Sequence, residues 1–333
     1  MNPAQQVLQV ATGYMASSAL YAAVSLNIAD RLASGPKTAA ELAKATGMNE
    51  DALYRVLRLL ASLGIFEITG RTIALNPAAE LLRSDVPGSL RSMAVFLPDP
   101  FHYRIYGNIL DSVKTGVPAS QTTLGMPVFE YLAGDQAYSK IFNDAMTALS
   151  APVAGAALEA YDFGGVGTLV DVAGGHGELL ISILRAHPKM RGIVCDLGHV
   201  VAGAKPRMAA AGVSDRMQAV ECDFFASVPE GGDAYIMKNI IHDWYDDKAS
   251  LILKNIGRAM GAKKGRVILL EPLVAEGPAP DFGKFLDIEM MLFPGGKERT
   301  ESEYKALFAG AGFTLTRVVP TKSPLFVIEA VRM

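Results

Sequence analysis

From about residue 165 onward, short apolar segments alternate with amphipathic ones, and the apolar segments finish on polar residues. No other feature limits the fold as much. Strand-length runs occur at Thr168–Val172, Gly192–Cys195, Met217–Cys222, Ala234–Met237 and Arg266–Leu270. Helical stretches separate most of them, and one of these sets Ile252, Ile256 and Met260 on a single face. Apolar strands alternating with helices predict an α/β fold, a doubly wound and mostly parallel sheet covered on both sides. The end differs. Thr314–Val319 and Leu325–Ala330 are joined by a short Pro-containing turn, which predicts an antiparallel C-terminal hairpin.

Residues 1–90 follow another grammar. Thr38-Ala39-Ala40-Glu41 is a capping box opening a short helix, and Asn49 caps the next. Leu53, Val56, Leu57 and Leu60 form that helix's apolar stripe, and Gly64 stops it. Ile65–Ile68 and Thr72–Leu75, split by Thr69-Gly70-Arg71, read as a two-stranded wing. The pattern is a winged helix, all-helical apart from its wing. Glu50–Leu63, the counterpart of a recognition helix, carries only Arg55 and Arg58 as base-reading groups. A DNA reader shows a basic footprint across the domain, so a protein–protein role fits better. Leu8, Val10, Tyr14, Leu20, Tyr21 and Val24 supply more apolar surface than so small a domain needs, and an intertwined homodimer would bury it. Residues 91–160 read as helices interrupted by Thr115–Pro127, a connector roofing the domain formed by residues 161–333.

Composition narrows the partners. A chain of 333 residues, half of them hydrophobic, can build two cores. Its net charge of −3 offers no general attraction for nucleic acid or anionic membranes. Met1-Asn2-Pro3-Ala4-Gln5-Gln6 does not read as the start of a signal peptide, and no apolar run approaches the ~18 residues of a membrane span. Cys195 and Cys222 read as buried, reduced thiols, which fits a cytoplasmic address. No group of Cys, His and carboxylates has metal-ligand spacing, so no metal is expected.

Ligands of open parallel sheets bind outside the carboxyl ends of the strands. Asp171, Asp196, Asp223, Lys238 with His242 and Asp243, and Glu271 all fall at such ends. The first turn, with Gly174, Gly175 and Gly177, lets the backbone approach a ligand at a helix N-terminus. A dinucleotide fingerprint needs a further glycine where Leu180 stands, which counts against a pyrophosphate and a nicotinamide oxidoreductase. Asp196, 19 residues after Gly177, is placed for ribose hydroxyls but suits either kind of cofactor. In Asp223-Phe224 the carboxylate suits an adenine amine and the ring its face. His242 is the only histidine combined with an adjacent acid and a tryptophan; His102, His176, His187 and His199 read as structural.

These residues resemble the plant caffeic acid and animal acetylserotonin type of O-methyltransferase, with its bacterial relatives, over nearly the whole chain. The most specific marks are His242-Asp243-Trp244 and Pro294-Gly295-Gly296-Lys297-Glu298-Arg299-Thr300-Glu301. The glycine turn, Asp196-Leu197, Asp223-Phe224-Phe225, Phe129-Glu130-Tyr131 and Phe142-Asn143-Asp144-Ala145-Met146 add to them. The resemblance implies a Rossmann-like methyltransferase domain, an N-terminal dimerisation domain, and S-adenosylmethionine as cofactor. It makes His242 the general base, Glu271 and Glu298 the glutamates bracketing it, and Asp243 its neighbour at the substrate. Asp171, Gly174, Gly175, Gly177, Asp196, Leu197, Asp223, Phe224 and Lys238 would surround the cofactor. Phe142, Met146, Trp244 and Met290 would contact a small, largely apolar hydroxylated substrate.

Two departures stand out. Ala173 replaces the usual first glycine, and Glu289 replaces an apolar residue beside a segment one residue shorter. Within such a family, hydroxylation or decarboxylation is the rival reaction, which His242 with both glutamates argues against; a winged-helix regulator is the remote one.

Overall fold

The computed structural model describes residues 2–333, with the side chains of Leu149 and Ala151 excepted. It divides into two compact units: one runs to Gly107 and includes Leu132–Leu149, the other comprises Asn108–Tyr131 and Ser150–Met333. The segment read as a connector is thus shared between both.

In the first unit, Thr38 and Glu41 form the expected capping box of helix Ala39–Thr46, and Asn49 caps helix Glu50–Ser62 through the Ala52 amide. Leu53, Leu57 and Leu60 are buried against Leu42, Ile28 and Ile73, as the helical stripe requires. The two wing strands form and pair antiparallel as expected, and the structure adds a third. A strand of two residues, β1 (Lys37–Thr38), joins β2 (Glu67–Thr69) and β3 (Thr72–Ala74) in the order β1-β3-β2. Two residues are too few for a periodicity signal, so β1 was not legible in the sequence. Val24 belongs to the core, whereas Val7, Leu8, Val10 and Tyr14 lie exposed on helices Pro3–Ala11 and Gly13–Ser25. No single described helix is long and apolar enough to cross a membrane.

The second unit is built on a seven-stranded sheet: β4 (Thr168–Val172), β5 (Arg191–Asp196), β6 (Met217–Glu221), β7 (Ala234–Lys238), β8 (Arg266–Glu271), β9 (Phe313–Pro320) and β10 (Phe326–Arg332). Their order is β6-β5-β4-β7-β8-β10-β9. The first five in sequence pair in parallel, and β10 lies antiparallel between β8 and β9, with Phe326 opposite Glu271. Residues alternate faces along each strand. Leu169, Ile236, Ile268 and Leu270 pack with Leu180, Ile183 and Leu184 of helix Glu178–Ala186. Val170, Tyr235, Met237, Val267 and Leu269 pack with Ile252, Ile256 and Phe308. Both faces are dry, so the strands read as nearly continuous apolar runs. From β4 the chain builds outward to β6, then returns to β7 on the other side of β4. A crevice opens at such a reversal, above the carboxyl ends of the adjacent strands.

Candidate active site

On the β4 side, Ala173, Gly175 and Gly177 all have positive φ, at 56°, 59° and 81°. Gly174 has no room for a side chain: a Cβ would fall 2.5 Å from the Asp171 carboxyl carbon and 2.7 Å from Val194. Asp196 ties this turn to β5, its two oxygens accepting from the Gly175 amide at 2.8 Å and the Leu197 amide at 2.7 Å. Burial pushes the Asp171 carboxyl up to about 7 against the pull of Lys238, and burial raises Asp196 as well. One oxygen of Asp171 is buried with no hydrogen-bond partner among the described residues. A bare turn, a ribose-height carboxylate and a buried acceptor fit a cationic nucleoside such as S-adenosylmethionine.

Asp223 accepts from the Phe225 amide at 2.9 Å, and the half-buried Phe224 ring lies 4.7 Å from Phe225 and 6.2 Å from Trp244. Asn255 escaped the sequence reading. It is buried in helix Asp246–Met260, and its amide donates at 2.9 Å to the carbonyls of both Phe224 and Phe225. Its signal was a polar residue beside Ile252 and Ile256 in a core-facing stripe.

On the β7 side, Lys238 ends the strand and Asn239 follows with φ 54°. Burial lowers the Lys238 ammonium, opposed by Asp171, Glu271 and Asp243. A 3-10 turn, Ile241–Asp243, then carries His242. Glu271, fully buried at the end of β8, accepts from the Ile240 and Ile241 amides at 3.0 and 2.8 Å. Its other oxygen lies 3.7 Å from His242 Nδ1. The imidazole is buried and donates from Nδ1 to Glu298 Oε1 at 2.7 Å, which leaves Nε2 as the basic nitrogen, 3.6 Å from Asp243. Burial alone would lower the pKa of His242, but Glu271, Glu298 and Asp243 together outweigh it and hold the ring at about 10. Burial lifts Asp243 to about 7 and raises Glu271, both opposed by the His242 charge.

The glycine-rich segment before helix Glu301–Gly310 presses on this turn. A Cβ at Gly296 would fall 2.0 Å from the His242 carbonyl oxygen, and the Lys297 amide donates to that oxygen at 2.9 Å. Linear spacing offered no metal cluster, yet the fold assembles one geometrically: ligand atoms of His242, Glu271 and Glu298 all lie within 4.8 Å of one another. At 2.7 Å, however, the His242–Glu298 contact has the length of a charge-assisted hydrogen bond.

The remaining expected residues divide between the units. Trp244 packs edge-on to Phe225 at 4.8 Å and lies 6.1 Å from Phe129, with the Lys248 ammonium 4.9 Å from its ring. Its indole nitrogen is buried without a partner among the described residues. Met290 and Glu289 are buried in helix Phe282–Leu292, and Leu197 is exposed. Phe142 and Met146 belong to the first unit, where Phe142 meets Phe96 edge-on at 5.8 Å. Cys195 is buried and Cys222 half-buried, both as free thiols.

A family model for the O-methyltransferase domain matches residues 106–314, and one for the O-methyltransferase dimerisation domain matches residues 8–85. The phenazine O-methyltransferase PhzM of Lysobacter antibioticus is 43% identical over 97% of this chain and 95% of its own length. The mitomycin biosynthesis 6-O-methyltransferase of Streptomyces lavendulae is 34% identical over 98% of this chain and 93% of its own. The crystal structure of LaPhzM superposes with a TM-score of 0.92 at 41% identity, covering 100% of both chains. With the sheet, the crevice and the braced histidine, these likenesses show that the chain belongs to the S-adenosylmethionine-dependent small-molecule O-methyltransferases, with a dimerisation domain at its N-terminal side.

Proposed function

We propose that the chain methylates a phenolic hydroxyl of a planar, fused aromatic secondary metabolite of the phenazine kind, with His242 taking the proton. The single observation that carries this reading is the imidazole fixed by Glu298 at 2.7 Å, with its other nitrogen left to act as base. The 43% identical phenazine relative supports the acceptor class. The cofactor, when bound, supplies a methyl group on a positively charged sulfur.

Everything else falls to the protein's own groups. Asp171, Asp196, Asp223 and Phe224, with Gly174, Gly175, Gly177, Leu197 and Lys238, would hold the donor. Four buried or half-buried acids, Asp171, Asp243, Glu271 and Glu298, outnumber the one lysine, Lys238, which favours a cationic ligand. A phenol has a pKa near ~10, and the acids hold His242 at about 10. Only the neutral imidazole accepts the proton, so turnover rises as pH climbs toward that value, and general-base help contributes ~10²–10⁴-fold. Alignment of oxygen and methyl can contribute ~7–11 kcal/mol, so positioning dominates. The family likeness adds Phe142, Met146, Trp244 and Met290 as acceptor contacts.

The reading extends to residues 1–90 as a homodimerisation domain, 91–160 as a connector, 161–333 as the methyltransferase domain, and a cytoplasmic enzyme without nucleic-acid or membrane partners. The exposed Val7, Leu8, Val10 and Tyr14 support the dimer.

The test incubates the protein with S-adenosylmethionine and a panel of hydroxyphenazines and naphthols, and reads product mass. Gain of one methyl on oxygen, with turnover cut ~10²–10⁴-fold in His242→Ala, is expected. Wild-type rates in that variant would refute His242 as base, and a product gaining oxygen or losing carbon dioxide would refute the transfer.

A further inference from the structure

Arg299 is fully buried, and its guanidinium is spent on the turn that carries His242. Its Nη1 donates to the carbonyls of Ile241 at 3.1 Å and Lys297 at 3.3 Å, and Nη2 to that of Trp244 at 2.8 Å. Nε and Nη2 both reach Asp246 Oδ1, at 3.0 and 2.8 Å. The Tyr304 ring lies 5.9 Å from the guanidinium carbon.

Two explanations compete. In the first, Arg299 is one half of an ion pair with Asp246 and nothing more. The Asp246 side chain is 61% exposed, so solvent screens one end of that pair, although against the effect of burial Arg299 still lowers the Asp246 carboxyl. Taking an arginine wholly out of water is costly, and one half-solvated carboxylate takes only its Nε and Nη2. The carbonyls do more. A 3-10 turn of three residues makes few bonds of its own, here Asp243 N to Ile240 O at 3.2 Å and Trp244 N to Ile241 O at 3.3 Å. Its polar groups need outside partners. Glu271 takes the amides entering the turn, and Arg299 takes carbonyls on both sides of His242. Lys297 and Gly296 close on the His242 carbonyl between them.

We propose that Arg299 is a positioning residue for His242, clamping the carbonyls that flank it so that the imidazole meets the acceptor oxygen. The effect runs through the backbone. Arg299 is not among the main charges acting on the imidazole, which are Glu271, Glu298 and Asp243. Its loss therefore lowers turnover while leaving donor affinity and the titration of His242 nearly untouched. The proposal rests on the reading of His242 as base.

Full-length wild type, Arg299→Met, Arg299→Lys and His242→Ala are compared in three measurements. These are turnover with the panel phenol that reacts, calorimetric affinity for S-adenosylhomocysteine, and amide exchange of residues 239–246 in the free protein. Misplacement of a reacting group by about 1 Å can cost ~10²-fold, and that loss in kcat is expected for Arg299→Met, with S-adenosylhomocysteine affinity unchanged within about twofold. Lysine cannot span three carbonyls, so Arg299→Lys recovers only part of the rate. Exchange rises in 239–246 and not elsewhere. Wild-type kcat in Arg299→Met, or rate, affinity and protection lost together across the sheet, overturns the proposal. Should Arg299→Met not fold, full kcat and full protection in Arg299→Lys overturn it instead. Full activity in His242→Ala would instead show that the base is misassigned, whatever Arg299 does.

Discussion

His242 Nδ1 and Glu298 Oε1 are 2.7 Å apart in a pocket that buries both side chains. This contact fixes the tautomer, aims Nε2, and stabilises the protonated ring. Glu298→Gln keeps the shape and removes the charge, so the imidazole pKa falls and the base weakens. The alkaline rise of kcat/KM should move to lower pH, with a reduced plateau; an unmoved limb would separate Glu298 from the proton.

Stability should fall as pH rises. The folded pKa of His242, about 10, lies above its ordinary 6.5. Its contribution is complete below 6.5 and is lost as pH climbs through about 10, because the native state holds the proton longer. Asp171 and Asp243, raised from 3.8 to about 7, add a decline over that lower interval, since ionising them in the fold is costly. Thermal midpoints of the free protein should drop from mildly acid to alkaline pH, and His242→Gln should flatten the upper part of that curve.

Chelation should not matter. His242 Nδ1 is engaged by Glu298 in a hydrogen bond, so its lone pair is not offered to an ion. Turnover after extended dialysis against EDTA is expected to equal that of the untreated enzyme, and strong inhibition reversed by added magnesium would count against the proton-transfer scheme.

Ala173 holds φ at 56°, a region where a side chain costs roughly 1–2 kcal/mol. Ala173→Gly should remove most of that strain, less the extra entropy glycine brings to the unfolded chain. A higher denaturation midpoint at unchanged slope is expected, and a lower one would mean that the methyl group is packed to advantage.

Asn255→Leu should free the carbonyls of Phe224 and Phe225. With ~1 kcal/mol typical of each of the two hydrogen bonds, affinity for S-adenosylhomocysteine is expected to weaken by up to about thirtyfold, with the acceptor KM unaltered. Equal affinity in calorimetry would detach that turn from the adenine.

Much of this was legible in the chain. Burial on both sheet faces made the strands of the second unit near-continuous apolar runs, and their polar ends marked the crevice. Thr38, Glu41 and Asn49 cap the helices they were expected to cap. What was hidden has a common cause. β1 is two residues long, Asn255 works through carbonyls, and the grouping of His242, Glu271 and Glu298 exists only after distant strands and loops converge. Sequence spacing carries local geometry. Contacts made across the fold leave almost no local trace, and a glycine such as Gly296 shows only that something must come close.

Phe326 of β10 faces Glu271 across the sheet, so the acid that steadies the histidine turn is flanked by the last strand in chain order. The donor-binding turn belongs to β4 and its neighbours, which are synthesised well before. The hairpin that ends the chain therefore closes the open edge of β8 beside that acid, tying the farthest stretch of sequence to the histidine turn.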